Sequence, residues 1–246
     1  MMRLIKLFCP VSMRRWLRIQ LFNFKAKPPI LWLDFGSLRR LNPINRNFGF
    51  ERGQPIDRYY IEKFLGEYVS DIKGDCLEVD DNVYTRKFGG SRVSHSDVLH
   101  LTAGNPRATI IADLSRADHI ASDKFDCIIL TQTLQYIYDI HSAIRHLYRI
   151  LKPAGVLLAT IPGISQISRY DMKQWGEYWR FSDFSARKLF GEVFGADNVT
   201  VEAYGNVLSA CSFLYGISAE ELKPGELDYK DPDYQLLITV RAVRRK

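Results

Sequence analysis

The sequence predicts an α/β fold: a mostly parallel sheet covered by helices on both faces, with an antiparallel strand at the end. Three observations predict it. Short continuous apolar runs alternate with amphipathic helical stretches from about residue 57 onward, the pattern of strands buried on both faces. The last two of seven such runs are joined through a shorter helical stretch, around 209–222, which turns one strand antiparallel. Hydrophobic residues make up 46% and charged residues 25%, and no apolar run approaches the ~18 residues of a membrane span, so a soluble globular chain is expected.

The elements follow in order. Residues 12–25 place Met13, Trp16, Leu17, Leu21 and Phe24 near helical spacing, with Arg14, Arg18 and Lys25 on another face. Such a helix either lies on an anionic membrane or packs on the body. Lys27-Pro28-Pro29 ends it, because proline cannot continue the hydrogen-bond ladder. Residues 35–47 read as irregular. Asp57 is the expected N-cap of a helix running to about Ser70. Strands are expected over 75–79, 91–96, 108–112, 125–130 and 156–161. A helix over 139–151 ends at Lys152-Pro153-Ala154-Gly155. A further helix covers 185–194, and the last two strands cover 198–203 and 235–243.

Charge is uneven. Residues 1–58 hold 12 Lys+Arg and 3 Asp+Glu, or 12 − 3 = +9, and the remainder 22 − 25 = −3. Residues 1–50 therefore read as a basic extension, with residues 1–25 reaching an anionic membrane peripherally, and residues 51–246 as the folded domain. The four cysteines form no CxxC pair, and no residue cluster has metal-ligand spacing, so no metal is expected. Cys76 and Cys127 lie in apolar runs and read as buried thiols, in keeping with a cytoplasmic location.

The segment from Phe125 to Gly163, FDCIILTQTLQYIYDIHSAIRHLYRILKPAGVLLATIPG, resembles the small-molecule methyltransferases often called type 11, within the class I S-adenosylmethionine-dependent enzymes. Nearly forty residues match in order: an FD-led strand, a helix, a Leu151-Lys152-Pro153-Ala154-Gly155 turn and a strand ending in Pro162. The resemblance implies a Rossmann-like seven-stranded sheet, S-adenosylmethionine as cofactor, and methyl transfer to a small molecule or glycan. The stretches Arg52–Tyr60 and Tyr170–Phe181 resemble a bacterial subgroup associated with surface polysaccharide.

The resemblance also implies site residues. Glu78 is the acidic residue of the first strand. The glycine loop after it is altered: Asp80, Asn82 and Tyr84 stand where three glycines are expected. Asn82 suits the left-handed conformation, and Asp80 could hold the ligand's ammonium group. Asp97, 19 residues after Glu78, is expected at the end of the second strand, accepting both ribose hydroxyls. Asp113 and Leu114 are expected at adenine, and Thr131 and Gln132 complete the cofactor set. Arg58, Tyr59, Tyr136, Trp175, Tyr178 and Arg180 are expected at the acceptor, whose sugar faces suit aromatic rings. The family's usual Glu-His is replaced by Gln135-Tyr136, so no catalytic residue is assigned, with Asp171 and Asp183 as alternatives. A catalytically silent binding domain of the same fold is the competing reading that the altered loop raises. A nicotinamide-dependent oxidoreductase lacks its glycine fingerprint here, and nucleic acid is not an expected partner.

Overall fold

The computed structural model describes residue 29 and residues 32–245. The chain divides into two compact units, residues 1–42 and residues 43–246. Within the first, one short helical turn spans Gly36–Leu38. The amphipathic helix expected over 12–25 lies outside the described residues.

The second unit is built on a seven-stranded sheet. Its strands are β1 (Gly74–Val79), β2 (Val93–His100), β3 (Ile110–Ile111), β4 (Phe125–Thr131), β5 (Leu151–Pro162), β6 (Val199–Tyr204) and β7 (Leu237–Val243). The spatial order is β3-β2-β1-β4-β5-β7-β6. β1 to β5 are parallel, and β7 runs antiparallel between β5 and β6. The fold is therefore Rossmann-like, mostly parallel, with an antiparallel final strand.

Side-chain alternation builds two cores from the same strands. Leu77, Ile128, Leu130 and Leu157 point to one face. There they meet Ile144 and Leu147 of α2 (Ile140–Ile150) and Phe190 and Phe194 of α4 (Asp183–Phe194). Cys76, Cys127, Ile129 and Leu158 point to the other face. There they meet Ile61, Phe64 and Leu65 of α1 (Ile56–Glu67) and Phe213 of α5 (Val207–Tyr215). Both strand cysteines are buried free thiols. Two short helices, α3 (Arg169–Gln174) and α6 (Pro224–Asp228), complete the unit.

Three of the boundaries that differ from the sequence reading have a clear local reason. Pro55, not Asp57, caps α1. Its ring fixes φ for the chain entering the helix, and Asp57 sits in the first turn, where a carboxylate favours the helix dipole. β5 begins at Leu151, because the Lys152–Gly155 turn is a bulge inside the strand. Ala154 takes φ +65° there, and a Cβ on Gly155 would lie 2.8 and 2.9 Å from the carbonyl oxygens of Lys152 and Phe125. β2 runs on to His100, four residues past Ser96, which moves Asp97 into the strand interior.

After β1 the chain builds outward to β2, and after β4 it builds the other way to β5. The carboxyl ends of β1 and β4 therefore form a topological switch point, where open α/β sheets bind ligands.

Candidate active site

A cavity of about 940 Å³ opens at this switch point. Its floor is the carboxyl end of β1. Glu78 is buried, 2% exposed. Its two carboxylate oxygens accept from the backbone N–H groups of Tyr84 (3.2 Å) and Thr85 (2.7 Å). Burial pushes the Glu78 carboxyl up to about 7, against the downward pull of those hydrogen bonds.

The altered loop above Glu78 is tightly held. Asp80 takes φ +74°, the conformation that a glycine would otherwise supply. Its N–H donates to Leu99 O (2.9 Å), and its C=O accepts from Asn105 Nδ2 (2.6 Å). The Asp80 carboxylate is exposed at the cavity wall. The left-handed residue is thus Asp80 and not Asn82. Asn82 does not line the cavity; its amide donates to Ser96 Oγ at 3.1 Å. Tyr84 does line it, and its hydroxyl accepts from Arg58 Nη1 at 3.1 Å.

The structure places Asp97 away from the cavity. Its carboxylate is buried beneath β2, where Lys124 Nζ (2.8 Å) and Thr109 Oγ1 (2.7 Å) hold it. Burial alone would raise its pKa, but these partners outweigh it and the net shift is downward. Asp97 does not line the cavity; the residue at the end of β2 that does is His100. His100 Nε2 lies 3.8 Å from Asp80 Oδ1, and its ring meets Trp175 edge-on at 5.6 Å. The signal for His100 was the apolar Val98-Leu99 pair, which continues the strand past Ser96.

Asp113, Leu114, Thr131 and Gln132 all line the cavity. Asp113 caps the turn after β3: Oδ1 accepts from Ser115 N (2.8 Å) and Ser115 Oγ (2.7 Å). Oδ2 has no hydrogen-bond partner among the described residues and is available to a ligand. Gln132 adopts φ +47° and donates its N–H to Thr160 O at 2.9 Å. Gln135 holds it from behind, Nε2 to Gln132 O at 2.9 Å.

The cavity also has an aromatic lining: Tyr136, Tyr138, Trp175 and Tyr178, with Asp171 among them. The Tyr136 hydroxyl donates to Asp171 Oδ2 at 3.1 Å. Burial and the Asp171 charge push the phenol pKa up, so Tyr136 stays a donor. Tyr178 is tied back through its N–H to Gln135 O at 2.8 Å. Two of the expected acceptor residues do not line this cavity. Tyr59 donates its hydroxyl to Asp228 Oδ1 (2.9 Å). Arg180 pairs with Glu177, donates to Gln166 O (2.7 Å), and lines a second cavity instead. Asp183 is held by Gln235 away from the cavity.

A family profile described as a methyltransferase domain matches residues 12–199. Among solved structures, a SAM-dependent methyltransferase from Archaeoglobus fulgidus aligns with a TM-score of 0.52 at 10% identity, covering 81% of this chain and all of that one. The N-methyltransferase NodS from Bradyrhizobium japonicum aligns with a TM-score of 0.49 at 14% identity, covering 83% of this chain and 95% of that one. At 10% identity the likeness to the Archaeoglobus fulgidus protein is one of fold. Over 64 residues the chain is 34% identical to probable polyketide synthase 10 of Dictyostelium discoideum. That match covers 26% of this chain and 3% of that much longer protein.

Two outcomes follow from this geometry. Asp97→Ala removes the partner of Lys124 and Thr109, so it lowers stability by about 1–3 kcal/mol and leaves affinity for S-adenosylhomocysteine unchanged. Urea melts and calorimetric titration of the same sample check this; weakened binding at unchanged stability contradicts it. Glu78 sets a pH dependence. Its carboxyl ionises near 4.5 when unfolded and near 7 when folded. Between these values the folded state holds the extra proton, so stability falls as pH rises, by up to about 3 kcal/mol. Urea melts from pH 4.5 to 7.5 should show that decline in the wild type and lose it in Glu78→Gln. Equal slopes in both proteins would refute the assignment.

Proposed function

The chain belongs to the methyltransferase-domain family, and on that premise we propose that it is an S-adenosylmethionine-dependent methyltransferase acting on a glycan or similar polyhydroxylated small molecule. Residues 1–50 are read as a basic extension and residues 51–246 as the methyl-transfer domain. The observation that carries the proposal is that one cavity is lined both by polar groups suited to a nucleoside and an amino acid and by a cluster of aromatic rings.

The polar lining suits a nucleoside joined to an amino acid. Asp113 Oδ2 is open to an exocyclic amine, with Leu114 beside it as an apolar neighbour for a base. Asp80 and Arg58 offer opposite charges at the β1 loop, matching the ammonium and carboxylate of an amino acid. His100 and Asp80 together stand where a ribose diol needs polar partners. Bound there, the cofactor supplies a methyl group already activated on a positively charged sulfur.

The aromatic lining positions an acceptor. Methyl transfer is an in-line displacement, so alignment is the protein's main contribution. Tyr136, Trp175 and Tyr178 provide ring faces for the C–H faces of a sugar. A sugar hydroxyl also needs a base, because its own pKa lies far above neutral. Asp171 is the carboxylate placed for that task. Tyr136 donates to one of its oxygens, which orients the carboxylate and leaves the other oxygen to take the hydroxyl proton.

The test is transfer of labelled methyl groups from S-adenosylmethionine to a panel of nucleotide sugars, free oligosaccharides and lipid-linked glycans, beside protein and nucleic-acid controls. Glycans are expected to be labelled. Asp171→Asn should lower kcat about 10²- to 10⁴-fold, with affinity for S-adenosylhomocysteine unchanged. Labelling of the protein or nucleic-acid controls alone contradicts the acceptor class. An unaffected kcat in Asp171→Asn removes Asp171 as the base.

A further inference from the structure

A second cavity of about 820 Å³ adjoins the first. Tyr138 and Asp139 form a wall common to both. Each cavity has the volume of a complete small-ligand site, roughly 300–1,000 Å³. The second lies between the first turn of α2 and one face of α4. α4 contributes Ser185, Lys188, Leu189 and Glu192, whose i, i+3, i+4, i+7 spacing puts them on one helix face.

Aromatic rings run from one cavity into the other without a break. Tyr178, on the first cavity, meets Tyr138 edge-to-face at 5.3 Å. Tyr138 stacks on Trp179, with centroids 5.9 Å apart and 28° between the planes. Trp179 lines the second cavity, and its indole N–H donates to Ile137 O at 3.0 Å, which fixes the ring. Tyr138 is 71% exposed and Tyr178 51%. Contiguous exposed rings of this kind mark a binding surface rather than packing.

The polar groups on the facing helix sharpen the chemistry. Lys188 and Glu192 are exposed, and among the described residues neither side chain has a hydrogen-bond or ion-pair partner. A sugar presents an apolar C–H face and a rim of hydroxyls that both donate and accept. Rings take the face, the Glu192 carboxylate accepts from the rim, and the Lys188 ammonium donates to it. Asp139, His141 and Arg180 also line the cavity, so its charges are mixed: an alkyl chain uses none of them, and a polyanion meets the Asp139 and Glu192 carboxylates.

We propose that the second cavity holds the part of the acceptor beyond the sugar that is methylated. The acceptor is then an oligosaccharide: its reacting sugar lies in the first cavity, and its neighbouring sugars cross Tyr138 into the second. The assignment rests on the glycan reading given under Proposed function.

The test uses the full chain, S-adenosylmethionine, and homologous oligoglucosides, oligomannosides and oligorhamnosides of one, two, four and six sugars. kcat/KM is expected to rise at least tenfold between one and four sugars. The Lys188→Ala/Glu192→Ala double variant, altered only on the exposed face of α4, should lose most of that rise. Its kcat/KM for the single sugar and its affinity for S-adenosylhomocysteine should match the wild type. Equal kcat/KM at every length overturns the proposal, and so does a rise that survives the double variant. A matching gain from alkyl glycosides bearing one sugar also overturns it, because the groove then recognises apolar chains. Methylation of no glycan at any length is a different failure: the acceptor class is then wrong, and the groove assignment falls with it.

Discussion

A buried carboxylate clamping two backbone N–H groups underlies the whole site. At the switch point the chain must leave β1 and turn beneath the cavity, which buries the amides of Tyr84 and Thr85. Unpaired buried amides are expensive, on the order of 1–3 kcal/mol each. Glu78 satisfies both from a position inside the strand. The clamp sets the path of residues 80–85, and that path places Asp80 and Tyr84 on the cavity wall. Burial raises the Glu78 pKa to about 7, so the clamp is sensitive to pH near neutrality.

This clamp explains how the fold tolerates the loss of its glycines. A glycine loop reaches its turn through backbone freedom. Here the same turn is held by side chains and by Asp80 in the left-handed region. Leu99 and Asn105 bind the Asp80 backbone, and Arg58 binds Tyr84. The side chains that replace glycine add charge and a phenol to the wall. The loop therefore keeps its shape and gains polar character.

Much of the fold was legible because its signals are local and periodic. Apolar runs such as Ile128-Ile129-Leu130 show strands buried on both faces, and the 140, 143, 144, 147 spacing shows the inner face of α2. Asp113 was legible because a cap motif and a strand end coincide there. Asp97 was misplaced because Ser96 was read as the end of β2. The structure continues the strand and pairs Asp97 with Lys124, 27 residues away in sequence. Tyr59 and Arg180 do not line the first cavity, for a related reason. Their partners are Asp228 and the Gln166 carbonyl, contacts that residue spacing does not encode. Tyr136, Trp175 and Tyr178 line the cavity, since the chain leaving β4 and β5 has to pass over the switch point. The Tyr136–Asp171 bond depends on the short helix α3, which was not read from the sequence.

The central claim is that this side-chain-built loop still forms a cofactor site. Calorimetric titration of the full chain with S-adenosylhomocysteine tests it most directly, because the measurement needs no acceptor. The account predicts saturable one-to-one binding that Asp113→Ala weakens at least tenfold without loss of folding. Absence of binding by the folded wild-type protein would contradict it, and would mean that Asp80 and Tyr84 close the cavity to the cofactor.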